Sequence, residues 1–187
     1  MGIIRFFRQL IAFRKLMKEL PNQIAEQNAE YLNMRTEDLS NLPDEDLFAA
    51  AISRAECIVD RYEELIDGFL ALNEHQKVVY AVNYLEMEVN NGGLCQFFVN
   101  SSRAIAPYIS NYLGIIHAKD HKELFDGFIE RNQIQLDDLS SFQIRRARDF
   151  EKQAERYPFE EYDDAFYELD TLETPLTAYI RAHIEAF

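Results

Sequence analysis

The sequence predicts an all-α protein with one compact multi-helix domain. Six glycines and five prolines among 187 residues are too few for the many tight turns of an all-β chain. No run alternates between polar and apolar residues for long enough to require a strand. Apolar residues make up 48% of the chain, which is sufficient for a core, and no repeat or long low-complexity linker interrupts it.

The first 21 residues predict a basic amphipathic helix, attached to an acidic all-α domain at residues 22–187. Its apolar residues recur at helical spacing and are Phe6, Leu10, Phe13, Met17 and Leu20. Residues 1–19 contain five basic residues and one acid, which gives a charge of +4. Since the whole chain has a net charge of -14, residues 20–187 carry -18. We expect the helix to pack on this acidic body, and contact of residues 1–20 with a membrane surface or a partner is the alternative.

A helix is predicted from Pro43 to about Tyr62. Proline fits the first helical position because it has no N–H group to leave unpaired there. The next three residues are acids, which interact favourably with the positive end of the helix dipole: Asp44, Glu45 and Asp46.

A second helix is predicted from Asn73, which can cap it, with Gln76 three residues on in capping-box position. Its buried face is predicted to consist of Val78, Val82, Leu85 and Val89. The run 90–93, two asparagines and two glycines, ends it because these residues adopt a left-handed backbone at least cost. Further helices are predicted near residues 94–100, 103–117, 119–131, 140–156, 159–169 and 175–187, the last after a Thr174 cap and Pro175.

The composition excludes several classes of protein. Residues 20–187 have a large negative charge and repel phosphates. This repulsion excludes direct binding to DNA or RNA. Cys57 and Cys95 have neither disulfide nor zinc spacing, and the apolar N-terminal stretch is interrupted by arginines. We therefore expect a cytoplasmic protein without a membrane span or secretory signal.

The residues do not form a recognisable catalytic or metal site. His117 and His121 are four residues apart on a charged stretch and are interpreted as surface histidines. None of the four histidines follows a glutamate by three residues, as helical carboxylate metal sites require. Nucleophile-elbow and nucleotide-binding glycine patterns are also missing. The sequence thus predicts a protein that is not an enzyme and uses neither a metal nor a cofactor.

The most specific stretch is EVNNGGLCQFFVNSS, residues 88–102. It predicts a helix end, a tight corner, a short buried helix and a new helix cap at Ser101 or Ser102. Gln96 and Asn100 lie one turn apart and are expected to bond to free backbone groups of the corner. We interpret the motif as structural, with a small-ligand or enzymatic pocket as the alternative. Its residues are Asn90, Asn91, Gly92, Gly93, Gln96, Phe97, Asn100 and Ser101.

The same stretch resembles the signature of the DNA mimic protein nineteen family, a bacterial family of acidic all-α proteins. Further resemblance lies in Arg156–Phe159, Phe166–Leu169, Tyr179–His183 and Phe187, so that it covers roughly residues 45–187. The resemblance implies an all-α fold, a homodimer, and binding to a DNA-binding transcription factor, such as a helix-turn-helix regulator, in place of DNA.

Residues 155–173 give this implication a physical basis, because they hold eight acids and one base, Arg156. Phe159, Tyr162 and Phe166 share one helical face and are expected to anchor it to the core. The acids are then expected to lie mainly on the other faces, towards solvent. The predicted partner-binding residues are Glu160, Glu161, Asp163, Asp164, Glu168 and Asp170, extended by Asp44, Glu45 and Asp46. An immunity-type protein that neutralises a basic toxin is the alternative.

Overall fold

The all-α prediction is confirmed. The computed structural model describes residues 26–144, 146 and 149–187, and within these residues every regular element is a helix. The predicted basic helix at residues 1–21 lies outside the described residues. No helix in the described part of the chain is long and apolar enough to span a membrane.

The helices follow one another through short connections. The α-helices are α1 (26–33), α2 (Thr36–Leu39), α3 (Asp44–Val59), α4 (Leu65–Ala71), α5 (Glu74–Val99), α6 (Ala106–Ile115), α7 (Lys119–Arg131), α8 (Asp149–Ala154), α9 (Phe159–Tyr167) and α10 (Glu173–Ala182). Single 3₁₀ turns lie at Ser101–Ile105, Ser140–Phe142 and Ile184–Ala186.

The core is built around α5, against which α3, α6, α9 and α10 all pack. The predicted capping box is present at its start, where the Asn73 side chain accepts from the Gln76 amide N–H and Gln76 accepts from the Asn73 N–H. Its predicted buried face is confirmed, since Val78, Val82, Leu85 and Val89 are buried. The helix is therefore fixed at its first turn and along its length by apolar contacts.

The helix α5 is broken at the two glycines of the central motif. Gly92 has φ -165° and ψ 25°, and Gly93 has φ 78° and ψ 172°. The predicted corner is thus present at the glycines, whereas the left-handed backbone predicted for Asn90 and Asn91 is absent. A second helical segment, Leu94–Val99, continues in a new direction from the break.

The predicted helix at 140–156 is confirmed only in its second half, where α8 spans Asp149–Ala154. Phe142 stacks on Phe98 of α5 with ring centroids 4.8 Å apart, and residues 140–142 form only a 3₁₀ turn. Gln143 then has an extended backbone, with φ -66° and ψ 119°. At residues 140–142, burial of the Phe142 ring takes precedence over local helix propensity.

Four other predicted boundaries also differ. Pro43 is the N-cap of α3 rather than its first residue, and α3 ends at Val59, where Gly68 of α4 packs closely. The segment 103–117 begins as a 3₁₀ turn. The helix α10 begins at Glu173, ahead of the predicted cap Thr174. The side chain of Glu86 accepts from the N–H of the N-cap residue Leu172, and the hydroxyl of Thr171 accepts from the N–H of Glu173.

We predict that Gly93→Ala destabilises the protein by about 1–3 kcal/mol. The backbone at position 93 has a positive φ, which is unfavourable for a residue with a side chain. The added methyl group would also overlap the carboxylate of Asp163. The free energy of unfolding, measured by urea denaturation, tests this.

Gly127→Ala is the matched control, because Gly127 lies inside α7 with open space around its Cα. This change should stabilise the protein by about 0.5–1 kcal/mol. Equal effects of the two substitutions would contradict a special requirement for glycine at the break.

Candidate functional site

Helix α9 is hydrogen-bonded to α5 on both sides of the break. Beyond the break, the carboxylate of Asp163 accepts from the Leu94 amide N–H at 2.8 Å. Before it, the hydroxyl of Tyr167 donates to the Val89 carbonyl oxygen at 2.8 Å. Asp163 therefore serves as the N-terminal cap of the second segment of α5, supplied by a helix 69 residues away in sequence.

The expectation that Asp163 faces solvent is thus corrected. It is half-buried against the break, while its neighbours Glu160 and Asp164 are exposed as predicted. Burial raises the pKa of the Asp163 carboxyl, and the hydrogen bond from Leu94 partly opposes this effect. The aromatic anchor was predicted correctly, since Phe159, Tyr162 and Phe166 are all buried.

The inner side of the break is organised by Glu88, a residue that sequence reasoning did not assign to the site. Glu88 is 5% exposed, and its carboxylate accepts from Gln96 Nε2 at 2.6 Å and from Asn100 Nδ2 at 3.0 Å. The Ser102 hydroxyl lies 3.1 Å from Glu88 Oε1 and 2.8 Å from the Phe97 carbonyl oxygen. Glu88 therefore connects the two segments of α5 through neutral donors.

The predicted partners of the amide side chains are wrong. Gln96 and Asn100 bond to the carboxylate of Glu88 rather than to backbone groups of the corner. Ser101 is exposed and Ser102 is buried, and neither caps a helix, because Asn100 occupies the N-cap position without a side-chain bond. The sequence did contain a signal that Glu88 is buried, because Glu88 follows Leu85 by three residues and so shares the buried face of α5.

An acidic groove lies between the break, α8 and α9, with a volume of about 460 Å³. Hereafter, "acidic groove" means this cavity. The break contributes Asn90–Gly93 and Cys95, and aromatic side chains form part of the wall: Phe150, Phe159 and Tyr167. Its acids are Glu155, Glu160, Asp163 and Asp164. No lysine or arginine lies among the described residues that line it, so the groove presents a concentrated negative charge.

The other predicted acids of this region lie elsewhere. Glu161 and Glu168 are exposed and do not line the acidic groove. Asp170 lies in a different cavity of about 410 Å³, between the first turns of α7 and α10. The structure therefore groups three of the six predicted acids of residues 160–170 with the central motif.

The predicted acids at the start of α3 are mostly engaged in contacts within the chain. Asp44 forms an ion pair with Arg181, whose Nε donates to Asp44 Oδ1 at 2.7 Å. Asp46 accepts from the Tyr31 hydroxyl at 3.1 Å, whereas Glu45 is exposed. Asp44 and Asp46 are thus engaged within the chain, whereas Glu160 and Asp164 are exposed and form no ion pair with another described residue.

The interpretation of His121 as a surface residue is wrong. His121 is 7% exposed, packs edge-on against Phe166 with ring centroids 5.2 Å apart, and has a buried Nε2 without a hydrogen-bond partner in the described structure. Burial lowers the pKa of its imidazole. Among the described residues, no group of three or more His, Cys, Asp or Glu side chains is arranged to hold a metal ion.

The thiol in the acidic groove is not an activated nucleophile. Burial raises the pKa of Cys95 to about 11, so the thiol is protonated at neutral pH. The other cysteine, Cys57, is also a free thiol.

Comparison with known protein families places these features in a wider context. The family model of DMP19-like protein matches residues 70–183, more than half of the chain. The chain belongs to the DMP19-like protein family. The resemblance seen in the sequence is thus confirmed, over a shorter range than the expected 45–187. Comparisons with curated proteins and with solved structures gave no match.

Membership of this family suggests a role of the non-enzymatic, DNA-mimic type, with a DNA-binding protein as the type of partner. The matched residues include the broken helix, α9 and the whole acidic groove. They exclude α1–α3, and with them Asp44, Glu45 and Asp46.

We predict that Asp163→Ala and Asp163→Asn have different effects on stability. Alanine removes the cap of Leu94 and should lower the free energy of unfolding by about 1 kcal/mol. Asparagine keeps an acceptor oxygen without the buried charge, so stability at pH 7 should equal or exceed that of the wild type.

The pH dependence provides a second readout of Asp163. A carboxyl whose pKa is raised on folding contributes stability at low pH that is lost as the pH rises through its folded pKa. This contribution should disappear in Asp163→Asn, as measured by urea denaturation across the acidic range. Equal losses for alanine and asparagine would contradict the capping role.

Proposed function

We propose that the acidic groove binds the DNA-binding surface of a basic transcription factor and competes with DNA for it. The observation that carries this proposal is the grouping of four acids, with no lysine or arginine among the described lining residues, held against the broken helix inside the family-matched residues. The membership of the family supports the DNA-mimic role itself, and the structure supports this groove as its location.

The geometry of α9 suits such a role. The Cβ atoms of residues one helical turn apart are separated by roughly 5–6 Å, which is of the same order as the spacing of phosphates along a DNA strand. Glu160 and Asp164 are four residues apart and both line the groove. Lysine and arginine side chains that contact phosphates in a protein–DNA complex can contact these carboxylates in the same way.

Rigidity strengthens the proposal. The buried face of α9 and its hydrogen bonds to Leu94 and Val89 fix the helix before any partner arrives. A preorganised surface loses less conformational entropy on binding than a flexible acidic tail does. The charges are thus held in position, as they are in DNA.

We further propose that the protein forms a homodimer and works in the cytoplasm, as the family resemblance implies. Light scattering of the purified protein gives the mass in solution, and a monomeric mass at micromolar concentration would contradict the dimer.

The groove is tested by charge reversal at two of its exposed acids. We predict that Glu160→Lys with Asp164→Lys weakens capture of the regulator from a cell extract of the source organism by roughly tenfold or more. Binding should also weaken steeply with added salt and compete with the regulator's operator DNA. Asp163 is left unchanged because its loss would disturb the break itself.

Glu37→Lys with Glu130→Lys is the matched control, because both residues are exposed acids outside the groove and the net charge changes equally. Control binding should stay close to that of the wild type. If both pairs weaken binding equally, general charge rather than the groove is responsible. Capture of a basic toxin instead of a regulator would support the immunity-type alternative, and turnover of a small molecule the enzymatic one.

A further inference from the structure

One feature of the acidic groove is unexplained by DNA mimicry. Imitation of a phosphate backbone requires carboxylates, yet Phe150, Phe159 and Tyr167 also line this groove. Tyr167 is 53% exposed, although its hydroxyl is bonded to the Val89 carbonyl. Phe159 is 3% exposed, so the aromatic surface open in the groove comes from Phe150 and Tyr167. Aromatic surface beside acids is complementary to an amphipathic helix that has one apolar and one basic side.

The chain contains such a segment. Residues 1–20, hereafter the N-terminal segment, have an apolar stripe at helical spacing, with most of the basic residues away from it. The charge of residues 1–19 is +4, while the acidic groove contains four acids and no lysine or arginine among its described lining residues. Both the apolar and the charged parts of the two surfaces are therefore complementary.

Docking of the segment in the groove would be an intramolecular event. A short flexible linker that spans two sites in one chain gives an effective concentration of about a millimolar. As a helix, 20 residues would span about 30 Å, the diameter of a small domain. Pro21 and the residues up to 25 separate it from α1, which is held on α3 by Arg54.

We propose that the N-terminal segment docks in the acidic groove of its own chain and inhibits binding of the DNA-binding partner. The inhibitory part rests on the proposed function of the groove, whereas the docking does not. Partner and segment would compete for the same carboxylates, so the partner must displace the segment. The N-terminal segment lies outside the family-matched residues 70–183, whereas the acidic groove that it would regulate lies within them.

Photo-crosslinking in the full chain tests the docking without any partner. Phe13, a residue of the apolar stripe, is replaced by p-benzoylphenylalanine, and the irradiated protein is digested and analysed by mass spectrometry. Crosslinks to peptides from residues 90–95 and 150–167 are expected. Their yield should fall several-fold in Glu160→Lys with Asp164→Lys, and remain unchanged in Glu37→Lys with Glu130→Lys.

Three outcomes would overturn the docking: crosslinks confined to other parts of the chain, no crosslinks within the chain, or an equal yield in both double variants. A mixture of ¹⁴N- and ¹⁵N-labelled protein separates contacts within one chain from contacts between copies. Crosslinks found only between differently labelled copies would likewise overturn docking in the segment's own chain.

Inhibition is tested separately by reversing the basic residues of the segment, Arg5, Arg8, Lys15 and Lys18, to glutamate. Regulator capture from the extract should then increase by about tenfold if the segment occupies the groove for about nine-tenths of the time. Crosslinks together with unchanged capture would overturn the inhibitory part. Crosslinks together with capture that is insensitive to the groove variants would instead contradict the proposed function and leave the docking intact.

Discussion

The two hydrogen bonds between α9 and α5 are the constraint on which the candidate site depends. They join Asp163 to Leu94 and Tyr167 to Val89, one on each side of the Gly92–Gly93 break. Without the break, Leu94 would have its helical partner and Asp163 would have no amide to cap. Because the break exists, α9 is held against it and the exposed acids Glu160 and Asp164 lie beside the corner.

The break also explains why a buried carboxylate is tolerated at Glu88. The second segment of α5 directs Gln96 and Asn100 back towards the first, so that both amides donate to Glu88. These donors are neutral, so the buried Glu88 carboxylate is held by hydrogen bonds, without an ion pair to any described residue. The central motif is therefore structural in its inner part and lines the acidic groove in its outer part, at Asn90 and Asn91.

Local signals in the sequence were sufficient to predict most of the helices, but not the contacts between them. The Asn73–Gln76 capping box, the bounds of α7 and the buried face of α9 depend on residues within one or two turns, and they were predicted. The inward orientation of Asp163, the role of Glu88 and the burial of His121 were missed, because each depends on helix packing or on a break whose direction the sequence does not specify. Phe142 likewise follows its contact with Phe98 rather than its local helix propensity.

Hydrogen–deuterium exchange of the free and partner-bound protein tests the location of the interaction most directly, because it needs no substitution. Protection on binding should appear in peptides from residues 90–95 and 150–167, which contain the described lining of the acidic groove. Protection confined to residues 36–46 or to the cavity around His121, with the groove unchanged, would contradict the account.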